Sequence, residues 1–158
     1  MEKENKNKKI TISVSLSKIT EICFEYNNEY DYTAITPETL LIEMQRKLIP
    51  NFDKEALDVN VIALYHCKTD NSILMKCGVS VTFKISEINN FIQINKDQSV
   101  SITNNEILLN LMNITLGTLR GVVYVKTKDT PLNEYPLPIM TRKSIENFLK
   151  STEPLPKK

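Results

Sequence analysis

The sequence predicts an α+β domain: a four-stranded antiparallel sheet with a long helix and a short C-terminal helix packed on one side. Three observations lead there. Residues 57–85 alternate apolar and polar side chains in two runs separated by Thr69-Asp70-Asn71-Ser72. Residues 104–126 carry apolar side chains at helical spacing. Pro131, Pro136 and Pro138 then interrupt the chain before a last amphipathic stretch. A length of 158 residues suits one domain, expected over 10–150, between a disordered arm at 1–9 and a flexible tail at 151–158.

From Ile10 to Tyr26 the even positions are mostly apolar, interrupted by Lys18 and Thr20, and the odd positions are mostly polar. That phase predicts one long strand with its even face inward. Thr36-Pro37-Glu38 has the form of a helix start, and Leu40, Leu41, Met44 and Leu48 follow at helical spacing until Pro50. A short helix is expected there. Two strands follow, Leu57–Cys67 and Ile73–Ile85, joined by a turn. Matching their apolar faces pairs Cys67 with Ile73, Tyr65 with Met75 and Ala63 with Cys77, a register that leaves no disulfide between Cys67 and Cys77. A short fourth strand is expected at Gln98–Ile102.

Thr103-x-x-Glu106 has capping-box spacing, and Leu108, Leu111, Met112, Thr115, Leu119, Val122 and Val123 then share one face. This is the main helix, expected from Asn104 to Lys126. The prolines make 127–140 an ordered loop, and Thr141 caps a last helix carrying Ile145, Phe148 and Leu149.

Composition removes several function classes. Net charge is +1, so nothing draws the whole chain to nucleic acid or to a membrane surface. Asn110, Asn113 and Arg120 within the most apolar stretch argue against a membrane span. Three cysteines without Cys-x-x-Cys spacing, and an arm with no apolar run behind it, suit a reducing, cytoplasmic setting. His66 is the sole histidine, so no histidine-rich metal site can form, and no cofactor is expected.

Catalytic constellations fail on geometry. His66 and Cys67 are neighbours on a strand and point to opposite faces, so the imidazole cannot serve that thiol. Glu21 and Glu25 are expected on one face about 13 Å apart, too far for paired acid–base work. They suit an acidic docking spot or a solvated surface. Ile62, Leu64 and Leu74 are expected together on the face opposite the core stripe, available to a second subunit or a partner. No enzyme activity is expected.

The segment Asn110–Ile139, with Arg120 inside the helix and Thr130, Pro131, Leu137, Pro138 and Ile139 after it, resembles the SecB export chaperones and their SecB-like relatives. Lys18–Glu25 is similar to that family's opening strand, and Val59–Ile85 to its hairpin. The resemblance implies a homo-oligomer built as a dimer of dimers. It implies grooves that bind unfolded polypeptide clients without ATP, and docking to the SecA motor through acidic residues. Client contacts are expected at Ile62, Leu64, Leu74, Leu132, Tyr135, Leu137 and Ile139, and partner docking at Glu21 and Glu25. The third acidic docking position falls on Lys76, a charge reversal. A dedicated role on one partner, such as an antitoxin, is the alternative that the resemblance allows.

Overall fold

In the computed structural model, which describes residues 11–97 and 99–151, four antiparallel strands form one sheet: β1 (Val14–Tyr26), β2 (Leu40–Asn51), β3 (Ala56–Cys67) and β4 (Ile73–Ile85). Their spatial order is β1-β4-β3-β2, so β1 and β2 occupy opposite edges and residues 27–39 carry the chain between them. A short helix α1 (Ile88–Phe91) leads into a separate hairpin of β5 (Ile92–Ile94) and β6 (Val100–Ile102). The long helix α2 (Asn105–Thr127) follows, then a 3-10 turn at Pro131–Glu134, then α3 (Arg142–Lys150).

The alternation in β3 and β4 decides the core. Leu57, Val59, Val61, Ala63 and Tyr65 on one strand, and Met75, Cys77, Val79 and Val81 on the other, are fully buried. Against them α2 sets Leu108, Leu111, Met112, Thr115, Leu119 and Val123, which matches the predicted stripe except for half-buried Val122. The helix has the length and apolarity of a membrane-crossing segment, and that apolar stripe packs on the sheet. Tyr65–Met75 and Ala63–Cys77 pair as predicted, but His66, not Cys67, stands opposite Ile73. The extra residue in this bulge is Leu74, whose side chain turns into the core and is fully buried. Leu74 is therefore separated from Ile62 and Leu64. All three cysteines are free.

The expected helix over Pro37–Leu48 is instead the edge strand β2. Leu40, Met44 and Leu48 recur every four residues, a spacing that fits both a helical stripe and one face of a strand. Ile42 completes the strand face, and all four lie toward the core. Thr36 makes a turn and not a cap: its carbonyl accepts from the amides of Thr39 and Leu40. Pro50 is tolerated because β2 pairs only with β3. The fourth strand of the sheet is thus Leu40–Asn51, and the segment expected at 98–102 forms β6 in the separate hairpin.

β1 is one long strand, but not in one phase. Register breaks between Leu16 and Lys18 and between Glu21 and Cys23 shift its inward set from Val14 and Leu16 to Ile19 and Glu21, then to Phe24 and Tyr26. The polar interruption at Lys18 and Thr20 marks this out-of-phase middle. Glu21 consequently faces α2, where its carboxylate meets Lys126 Nζ at 3.0 Å. Glu25 lies on the other face, opposite Lys76. The two acids do not share a face.

The capping residue of α2 is Asn104, whose side chain accepts from the amides of Glu106 and Ile107. Thr103 instead donates to the carbonyls of Asn90 and Phe91. Thr141 caps α3 as predicted. The expected arm at 1–9, the expected strand start at Ile10, Gln98 and the tail at 152–158 lie outside the described residues.

Candidate functional site

A groove of about 440 Å³ opens between β6, the first two turns of α2 and α3. Val100, Ile102, Leu108, Leu109 and Leu149 supply its apolar lining. A smaller hollow of about 230 Å³ lies on the other flank of α3, between Leu109, Asn113, Met140 and Ile145. α3 therefore lies across α2 as a strap with open space along both sides.

Three sets of contacts hold that strap. Ile145 is buried and seats α3 on the core. Arg142 grips Glu106 with both terminal guanidinium nitrogens and donates from Nε to Glu146 at 3.0 Å. The Arg142 guanidinium beside Glu106 holds that carboxyl below its ordinary range. At the far end Arg46 of β2 donates to the carbonyls of Phe148 at 2.7 Å and Ser151 at 2.8 Å, and also to that of Leu149. Those carbonyls are the ones a helix C-terminus leaves without internal donors.

The charges lining the larger groove cancel: Glu106 and Glu146 stand against Arg142 and Lys150. Both acids are already paired with Arg142. The groove has a mixed lining, apolar side chains among polar and charged ones, without an uncompensated acid. Burying apolar side chains there stabilises a complex by about 25 cal/mol per Å² before ordering costs.

The sequence-predicted contact residues have mixed fates. Leu74, Leu132 and Leu137 are buried in the core. Tyr135 is half-buried and tied down: it donates to the Ile35 carbonyl at 3.0 Å, and its own carbonyl accepts from Tyr65 at 3.1 Å. Ile139 stands open at 85% exposure. Ile62 and Leu64 lie on the sheet face away from the helices and are only 9% and 8% exposed. Among the described residues no helix covers them. Ile62 lies between Gln45 and Gly78, and Leu64 between Glu43 and Lys76, in the cross-strand register. A Cβ at Gly78 would fall 2.8 Å from Ile62 Cγ1 and 2.9 Å from Cys23 Sγ, so glycine lets these side chains close over the sheet.

His66 and Cys67 diverge as expected. His66 Nε2 is 3.2 Å from Glu43 on the outer face, while Cys67 Sγ is 2.9 Å from Thr69 Oγ1. Hydrogen bonds from Thr69 and Tyr30 draw the Cys67 thiol below its ordinary value. Burial pushes Cys77 up to about 11. Among the described residues no cluster of His, Cys, Asp or Glu could hold a metal.

The groove residues Val100, Ile102 and Leu109 were not singled out from sequence. Leu109 was legible in principle: the run Ile107-Leu108-Leu109 is wider than one sheet-facing stripe requires. Val100 and Ile102 gave no such signal, because three residues are too few to declare a face.

No family model matches the chain, and no curated protein matches it. The solved structures do include a match: a SecB-like chaperone of Mycobacterium tuberculosis, determined in complex with a peptide from an antitoxin. The identity is 11%, the TM-score 0.52, and the match covers 81% of this chain and 90% of that one. Sheet order, long helix, proline-bearing connector and short last helix together give this chain the SecB-like fold.

Proposed function

We propose that the chain is an ATP-independent SecB-like chaperone, a holdase that binds unfolded polypeptide and performs no catalysis. The observation that carries this reading is the open groove flanking α3, with apolar side chains among charges that balance, set on a SecB-like fold. Such a groove takes many sequences, because apolar burial is non-directional. The partner recorded for the mycobacterial neighbour is itself a peptide, which supports a polypeptide ligand.

The same reading includes self-association in the cytoplasm. Leu16 and Ile19 of edge strand β1 are 51% and 50% exposed although they point to the helix side. The outward face of α2 carries Ile114, Tyr124 and Val125, with Gly117 and Gly121 leaving open space between them. A second copy would bury both surfaces.

The test is light scattering from a reduced, aggregating client protein with and without the purified chain. Suppression at stoichiometric ratio, without ATP, supports the holdase. A dedicated antitoxin-control or assembly module is the second reading. Glu21 is engaged with Lys126 and Glu25 stands opposite Lys76, an arrangement that favours this second reading over docking to the SecA motor. Failure to suppress aggregation, with one folded partner co-purifying, favours that second reading.

A further inference from the structure

The β5–β6 hairpin has a hydrogen-bond phase that bears on how the groove holds a chain. The Thr103 amide donates to the Phe91 carbonyl at 2.9 Å, and the Asn95 amide to the Ser99 carbonyl at 2.8 Å. Between those two bonded pairs the register runs Ile92–Ile102, Gln93–Ser101 and Ile94–Val100. In an antiparallel ladder bonded pairs alternate with non-bonded pairs. Gln93–Ser101 is therefore bonded, and Ile92–Ile102 and Ile94–Val100 are not. The amides and carbonyls of Val100 and Ile102 consequently point away from β5. These two residues, and none from β5, line the larger groove. Among the described residues the hairpin pairs with no other strand.

We propose that a client segment binds in extended form as a third strand on the free edge of β6, donating to and accepting from the main chain of Val100 and Ile102. Alternate client side chains then enter the groove toward Leu108, Leu109 and Leu149. This rests on the groove being the client site and names the occupant: an extended, uncharged stretch with apolar residues at every second position. Outward-pointing donors and acceptors at strand spacing match another extended backbone, and the balanced charge of the lining matches a neutral one. Main-chain recognition also explains tolerance of sequence, since every residue except proline carries the same amide.

The test uses the full chain and a short fluorescein-labelled peptide of alternating leucine and serine. Val100→Pro removes an amide that the hairpin does not use, so the bonded pairs with β5 survive. Affinity should fall about fivefold or more, whereas Val100→Thr should change it little. Two N-methylated peptides give a second arm that needs no variant. Methyl groups on the leucine amides and on the serine amides block opposite edges of the strand, so one peptide should lose binding and the other keep it. Equal binding of all three peptides overturns the proposal, as does unchanged affinity in a folded Val100→Pro chain. Aggregation suppression separates the two readings. If unfolded client is held while strand pairing fails these tests, the holdase stands and the third strand does not. If neither peptide nor client is bound, both fall.

Discussion

Arg120 Nε lies 3.0 Å from the Leu137 carbonyl, and Arg120 Nη2 lies 3.0 Å from that of Pro138. One α2 side chain thus fastens the connector that delivers the chain to α3. Pro136 and Pro138 lack amides, so the connector cannot organise itself through its own backbone ladder. A planar guanidinium holds its donors in a fixed fork that two successive carbonyls can meet, whereas an ammonium is a point charge on a flexible stem. Arg120→Ala should destabilise the fold by about 2–3 kcal/mol, and Arg120→Lys by roughly half as much, in urea unfolding. Equal stability of all three chains would mean that the connector is held by Leu132 and Leu137 alone.

Gly78 is the close-approach point of the outer sheet face. Gly78→Ala should cost about 1–3 kcal/mol from overpacking against Ile62 and Cys23. Combining it with Ile62→Ala should give less than the sum of the single losses, since the second change removes one of the two clashes. Additive losses in denaturant titration would place the strain elsewhere.

The Glu106–Arg142 contact carries a pH signature. Its carboxyl is held below the ordinary value in the folded chain, so the unfolded state binds its proton first as pH falls. The stabilisation is complete above about pH 4.5 and is lost as acidity passes through the lower folded value. Glu106→Gln should flatten the acid limb of stability against pH and leave its shape above pH 6 unchanged. An unaltered acid limb would show that the contact is too solvent-screened to matter.

Self-association is checked by multi-angle light scattering. The protomer mass is 18.2 kDa, and the wild-type chain should run at a multiple of it. Ile19→Lys adds a charge to an exposed apolar position on the free edge strand and should shift the mass downward. A wild-type monomer at micromolar concentration contradicts the oligomer.

The sheet hairpin, both principal helices and the side on which they pack were legible because their periods are long and unambiguous. β2 was not: apolar residues at 40, 44 and 48 satisfy two periods at once, and only the vacant edge beside β3 decides between them. The split of Glu21 from Glu25 was hidden for a related reason. A bulge leaves composition untouched while turning every later side chain over. The groove is assembled from β6, α2 and α3, which meet only in three dimensions, so no stretch of sequence displays it.

The most direct test of the account is hydrogen exchange on the intact chain with and without a reduced, unfolded client. Slowed exchange should concentrate in Val100–Ile102, Asn105–Leu109 and Arg142–Lys150, the walls of the groove. Client binding that leaves those three segments unchanged, and protects the outer sheet face around Ile62 and Leu64 instead, would contradict it.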